Sequence, residues 1–293
     1  MGWPVDFLVL PEYRSQRIGS KLHKADFSDK DIFVALAMAA TSRRLVAKLG
    51  GIPIDSVTVL DRVVRVDAPA TLAALRNRLT PKWPGKVLLS LLHFLWLDRL
   101  LVVLVNVYLA VLDLRLTRHR NADIEVRRIS EFDRATDQFW DSVSPQFYAA
   151  VRRDSRYLNW KYVQQPHMNY ELFTASKHGE MCGYVILRRA RAPESNSGIV
   201  ADLLVPFQDR AAIYSLLAFA VRYFRQQKVN RIEAASSSDA YRSALLALGF
   251  RKKREVQPLF HSRAMTPAVE AALQPGSWLL GRSDHDWDQF PCA

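Results

Sequence analysis

Two spacings of apolar residues alternate along the chain. Period-two alternation, which places successive side chains on opposite faces of a strand, runs through residues 57–66, and residues 124–129, 170–176, 182–189, 198–205 and 229–235 read as further strands, 198–205 an apolar one. His178-Gly179 between 170–176 and 182–189 predicts a tight turn, and 255–262 predicts a last strand. A 3.6-residue spacing predicts helices over 41–51, 132–151, 211–224 and 239–248. The first of these ends in Gly50-Gly51 and the last in Gly249-Phe250, and the third carries Arg222, Arg225 and Lys228 at its C-terminal end. An apolar stretch over 32–37 precedes the first helix. Strand, helix, leucine-glycine and strand thus occur in the same order near the start and near the end of the chain. The pattern predicts an α/β (α+β) fold, a mixed central sheet flanked by helices.

Between these segments lies a different stretch. Residues 69–122 are punctuated by Pro69, Pro81 and Pro84, and 87–112 are strongly apolar apart from Asp98 and Arg99. Each uncharged half is shorter than the roughly 18 residues that argue for a membrane span. The adjacent charges would be costly in lipid. The stretch predicts a buried interdomain helix pair; a membrane-associated hairpin or interfacial helix flanked by Lys82, Lys86, Arg115, Arg118 and Arg120 is the other reading.

The 293 residues suit about two domains, and 49% hydrophobic with 24% charged residues describes a globular protein. An excess of 41 basic over 29 acidic side chains, +12, attracts anions such as nucleotide phosphates or anionic lipid. The basic clusters lack interleaved aromatic residues and match no nucleic-acid motif, which argues against nucleic acid. Cys182 and Cys292 stand far apart, with no His/Cys spacing for a metal, so no metal is expected. These features, and a start without a basic stretch leading into a long apolar run, predict a cytoplasmic protein, with membrane association through 87–112 as the open point.

The motif with the clearest chemistry is Pro11-Glu12-Tyr13-Arg14-Ser15-Gln16-Arg17-Ile18-Gly19-Ser20, after the apolar run ending at Leu10. A strand, a basic turn and a helix start can hold a diphosphate, because the first helical N–H groups and the helix dipole face the anion. Gly19 permits close backbone approach, and Arg14 and Arg17 add positive charge. This turn resembles the acyl-CoA pyrophosphate loop of the GNAT superfamily of N-acetyltransferases, with Arg17 where that family usually carries its first glycine. In the helix that follows, the family's tyrosine, which protonates the leaving thiolate, aligns with Val46, and its asparagine with Ala39. A second stretch, Arg152-Arg153-Asp154-Ser155-Arg156-Tyr157-Leu158-Asn159-Trp160-Lys161-Tyr162 with Pro166 and Tyr170 beyond, resembles a signature of bacterial GNAT proteins.

The resemblance implies a partial GNAT-like unit over 1–68 that carries the loop, a connector over 69–122, a GNAT-like domain over 123–265 and a tail over 266–293. Only ten residues precede the loop, so the first unit is expected to lack strands, the chain being a fragment, beginning at an internal Met, or completing the sheet by another chain. The implied activity is N-acyl transfer, in particular N-acetyl transfer, from acetyl-CoA or another acyl-CoA to a small-molecule, sugar or peptide amine. The implied cofactor contacts are Leu10, Arg14, Ser15, Gln16, Arg17, Ile18, Gly19 and Ser20. Asp202, on the strand before the second loop, is the candidate general base, with an Asp turned to solvent or paired with a nearby arginine as its alternative. Arg153, Tyr157, Trp160 and Tyr162 are candidate substrate contacts. The second loop, 206–212, has no glycine, and its Asp209 would oppose a phosphate. The lost Tyr and Asn equivalents favour a second reading, a non-catalytic GNAT-fold protein that binds a sugar, a peptide or a partner protein. Asp284-His285-Asp286-Trp287-Asp288 reads as an acidic surface tail or a cation site.

Overall fold

A computed structural model describes residues 10–29, 31–67, 97–114, 121–190, 196–285 and 288. A short 3-10 turn, Pro11–Gln16, leads into α1 (Ile18–Asp29), β1 (Ile32–Ala35), α2 (Ala40–Lys48), β2 (Ile52–Pro53) and β3 (Val57–Val63). Helix α3 (Leu97–Leu114) follows, then β4 (Ile124–Ile129), α4 (Arg134–Val143), β5 (Ala149–Ala150) and α5 (Ser155–Leu158), which runs on as a π-turn, Asn159–Val163. The remaining elements are β6 (Tyr170–Lys177), β7 (Glu180–Arg189), β8 (Ser197–Leu204), α6 (Arg210–Gln226), β9 (Arg231–Ser236), α7 (Asp239–Ala247), β10 (Arg251–Val256), β11 (Leu259–Ser262), α8 (Pro267–Ala272) and β12 (Trp278–Leu279).

The main sheet has seven strands in the order β10-β3-β9-β8-β7-β6-β4, and only β8 and β9 are parallel. A three-stranded sheet has the order β1-β11-β2. These two orders interlock. The early series α1–β1–α2–β2–β3 has the connectivity of the late series α6–β9–α7–β10–β11, and each series gives its last strand to the other's sheet. Strand β3 lies antiparallel between β9 and β10, with Leu60 opposite Ala234 and Lys252. Strand β11 lies antiparallel between β1 and β2, with Phe260 opposite Val34 and Ile52. The early sheet, expected to lack strands, is therefore joined by a strand from the far end of the same chain. Val57, Val59 and Leu60 are fully buried, as a strand inserted in mid-sheet requires, so neither series can close its sheet without the other. The two helix ends also correspond: Gly50 and Gly249 take left-handed φ of 97° and 85° after Leu49 and Leu248.

Several predicted elements differ. The helix expected over 132–151 stops at Val143, where Pro145 enters a 3-10 turn and the chain becomes extended as β5. The last predicted strand is two, β10 and β11, with Gln257-Pro258 between them. The apolar stretch expected to be buried is described only over α3, and there one face is exposed: Leu100, Leu101, Val103, Leu104, Val107, Tyr108 and Val111 each show half or more of their surface.

Candidate functional site

At the start of α1 the first α-helical hydrogen bond runs from Lys21 N–H to Arg17 C=O, 3.1 Å. The N–H groups of Ile18, Gly19 and Ser20 therefore precede the ladder, as the first groups of any helix do. Arg17 stands just before them in the left-handed conformation, φ 55° and ψ 26°. A non-glycine residue there costs about 1 kcal/mol, and the position is the one where the resembling family carries glycine. The first turn of α1 holds no acidic residue; Glu12, one turn earlier, is exposed. The side chains of Arg14 and Ser15 lie outside the described residues.

The corresponding helix of the late series begins differently. Asp209 caps α6, its Oδ1 accepting the N–H of Ala212 at 2.9 Å. That carboxylate occupies the end of the helix dipole where an anion would sit. Beside it, between α6 and α7, is a pocket of ≈ 310 Å³ bordered by Phe207, Arg210, Tyr214 and Ser243.

Strands β8 and β9 pair over only three residues, Ser197–Ile199 with Arg231–Glu233, and then diverge although both continue. The fork is filled by the chain's own C-terminal segment. Gly281 bridges Ser236 on β9, Ser237 N–H donates to Leu280 C=O at 2.9 Å, and Ser237 Oγ donates to Trp278 C=O at 2.6 Å. Leu279 and Leu280 are buried there, and the cavity left beside Arg153, Asp202 and Ala235 is ≈ 30 Å³, room for about one water.

Charged side chains latch this segment in place. Arg153, 2% exposed, donates from Nη2 to Asp284 Oδ1 at 2.7 Å, from Nε to Asp202 Oδ2 at 3.3 Å and from Nη1 to Val151 C=O at 3.0 Å. Arg282 Nη1 donates to Glu233 Oε2 at 2.9 Å, with both residues buried. Lys161 Nζ donates to the carbonyls of Ser283 and His285 and lies 3.8 Å from Asp288 Oδ1. Arg188 Nε donates to Asp288 C=O at 2.7 Å, and the Tyr170 hydroxyl donates to the Asp288 carboxylate. Burial raises the Asp284 and Asp288 carboxyls above their usual range, against the opposing pull of Arg153 and of Lys161. Burial would lower the Arg153 guanidinium, but Asp202 and Asp284 outweigh it and hold it well above its ordinary value. The acidic surface tail expected from sequence is thus a buried, ion-paired strap at Asp284 and Asp288.

The same network settles where the late candidates lie. Asp202 accepts from Arg153, from the Tyr162 and Tyr184 hydroxyls at 3.3 and 3.1 Å, and from Leu203 N–H at 2.9 Å. These donors fill about four acceptor positions, the full capacity of a carboxylate. Both tyrosines are pushed well up by burial and then by the Asp202 charge, so they remain donors. Asp202 is paired with Arg153. Tyr157 lies in the first turn of α5, where its N–H donates to Asp154 Oδ1 at 2.8 Å, and Trp160 beside it is 56% exposed. Tyr162 is buried against Tyr170, ring centroids 4.9 Å apart, so the three aromatic residues do not line one open groove. Val46, at the position of the resembling family's tyrosine, is fully buried with Phe27, Phe33 and Leu259, and Ala39 is the residue before α2. Sequence reasoning missed Arg282 within the segment and Arg188, Glu233 and Lys161 as its partners; the recurrence of Asp at 284 and 288 beside Arg282 was the available signal. Among the described residues no cluster of His, Cys, Asp and Glu is placed to hold a metal ion.

The comparisons agree with this architecture. No protein-family model matches the sequence, and no curated protein is similar to it at a significant level. Among solved structures it is similar to a GCN5-related N-acetyltransferase from Anabaena variabilis, with TM-score 0.51 and 12% identity over 87% of this chain and 53% of that one. It is also similar to a GCN5-related N-acetyltransferase from Kribbella flavida, with TM-score 0.53 and 13% identity over 94% of this chain and 56% of that one. The chain spans about half the length of these two structures. It has the fold of the GCN5-related N-acetyltransferases, the GNAT superfamily: a mixed, mostly antiparallel central sheet flanked by helices.

Proposed function

We propose that the chain is an acyl-CoA-dependent N-acyltransferase whose acyl-CoA is held by the early series, at Leu10–Ser20, and not by the late one. The observation that carries this reading is the contrast between two helices at equivalent places. Helix α6 is capped by the carboxylate of Asp209 and the fork beside it is filled by residues 278–281, whereas α1 has no acid in its first turn and is preceded by Arg17. A diphosphate is favoured at a helix start that offers N–H groups and a cation, and disfavoured where a carboxylate already stands. Here the N–H groups of Ile18, Gly19 and Ser20 would bind the phosphate oxygens, and Arg17 would supply charge. The donor is acetyl-CoA or another acyl-CoA, and the acceptor is an amine of a small molecule, sugar or peptide. In this reading residues 1–68 and 123–265 descend from two copies of one unit, joined by 69–122.

Acetyl-CoA turnover measured over a panel of amines, with free thiol as the readout, tests the reading. We expect turnover of at least one amine by the wild type and its loss in Gly19→Glu, which places a carboxylate among the first N–H groups of α1. Unchanged turnover in Gly19→Glu would refute the placement. One observation favours the second reading, a non-catalytic binding protein. Val46 is packed in the core where the resembling family has its thiolate-protonating tyrosine, so no side chain at that position can act as the acid. Coenzyme A binding with no turnover of any amine would support it.

A further inference from the structure

Helix α3 is turned the wrong way round for a helix at a water-exposed surface. Two of its polar side chains, Asn106 and Asp113, face the protein, while Arg99 near its start is exposed. Asn106 donates from Nδ2 to Val66 C=O at 2.8 Å and accepts the Val66 N–H at 2.9 Å. Asp113 pairs with Arg62 and with Arg225 of α6. Seven of its apolar side chains face outward. At about 100° per residue, Leu100, Leu101, Val103, Leu104, Val107, Tyr108 and Val111 fall within one arc of about 160°, opposite Asn106 and Asp113, and each is half or more exposed. A continuous apolar face of this kind marks an interaction surface.

We infer that this face docks on an anionic lipid bilayer, with α3 lying along the interface. Three features select this occupant. The face is almost wholly aliphatic, Leu and Val, and has only Tyr108 of the Trp, Tyr and Arg anchors that dominate protein–protein contacts. Basic residues stand near the helix: α3 lies against α6 through Arg225, whose Nη1 donates to Leu109 C=O at 3.3 Å and whose charge is taken up by Asp113, and the end of α6 and the residues after it also carry Arg222 and Lys228. Asp113, the one carboxylate among the described side chains of α3, is already paired with two arginines. In sequence, Arg115, Arg118 and Arg120 follow the helix directly. Finally, no helix among the described residues is long and apolar enough to cross a membrane. The inner polar contacts of Asn106 and Asp113 would also have to break for α3 to span. An apolar face beside basic groups fits the headgroup–acyl boundary of an anionic leaflet. This inference does not rest on the proposed acyl transfer.

Flotation of the protein with vesicles tests it, using phosphatidylcholine alone and phosphatidylcholine mixed with phosphatidylserine. The wild type should float with the mixed vesicles and lose most of that binding with the neutral ones. The double variant Leu104→Glu/Val107→Glu, which changes only exposed side chains, should bind the mixed vesicles at least about tenfold more weakly, with an unchanged circular dichroism spectrum. A wild type that stays unbound with both vesicle types overturns the inference, as does a double variant that floats as well as the wild type. Sedimentation velocity without lipid supplies a further check. A wild-type dimer that becomes monomeric in the double variant would show that a second copy covers the face, and would also overturn it.

Discussion

Arg153→Ala should be among the most damaging single changes in the late half of the chain. The side chain is buried between two carboxylates, 2.7 Å from Asp284 and 3.3 Å from Asp202, and also holds Val151 C=O at 3.0 Å. Truncation leaves both carboxylates buried without their cation. Each retains neutral donors: Gly281 N–H for Asp284, and Tyr162, Tyr184 and Leu203 N–H for Asp202. Breaking a buried pair by removing one partner costs about 3–5 kcal/mol, a large share of the roughly 5–15 kcal/mol that stabilises a domain. The neighbouring Arg152 is the control: its side chain is 73% exposed and pairs with Asp154 at the surface, so Arg152→Ala should cost no more than about 0.5 kcal/mol. Urea unfolding followed by tryptophan fluorescence gives both values. Adding Asp284→Asn to Arg153→Ala should recover part of the loss, because it removes one of the stranded charges. A cost below about 1 kcal/mol for Arg153→Ala, or equal costs for the two arginines, would refute the claim that the C-terminal segment is latched by buried charge.

Two further outcomes follow from packing and from the raised carboxyls. Gly198 faces Phe224 so closely that a Cβ there would stand 2.4 Å from the ring, so Gly198→Ala should cost about 1–3 kcal/mol in the same urea assay, and no change would contradict the contact between β8 and α6. Because burial raises the folded-state values of Asp284 and Asp288, the folded protein binds their protons more tightly than the unfolded chain. Stability from these two groups is then present at low pH and falls as pH rises from the ordinary carboxylate value, about 4, through their raised folded values. Relative to Asp284→Asn/Asp288→Asn, the wild type should lose stability over that interval, and a gap that widens in its favour would show that the sign is wrong.

Many strands and helices could be read from the chain because their apolar residues repeat at 3.6 positions, as in α6, or form a short apolar run, as in β7. Strand β10 could not: Arg251-Lys252-Lys253-Arg254 is an exposed, charged strand at the end of the main sheet, where charge guards the edge and no apolar face announces a strand. The exchange of β3 and β11 was hidden for another reason. Alternation gives the faces of a strand and not its neighbours, and these strands pair with segments roughly 170 to 230 residues away. The C-terminal strap looked like a solvated tail because Asp is almost never fully buried unless paired. Its partner Arg153 stands 131 residues from Asp284. The loop at Arg14–Ser20 was visible as a pattern, and the left-handed φ of Arg17 supplies the backbone reason why glycine suits that position.

The placement of acyl-CoA on the early series is tested most directly by calorimetric titration of coenzyme A into three proteins: the wild type, Arg17→Glu and Arg210→Glu. Arg17 precedes α1, and Arg210 opens α6 beside the pocket of ≈ 310 Å³. The account predicts binding by the wild type and by Arg210→Glu with the same affinity, and a loss of at least about tenfold for Arg17→Glu, the removal of one charge-assisted contact and its reversal in sign. Undiminished binding by Arg17→Glu together with loss in Arg210→Glu would place the cofactor on the late series and contradict the account.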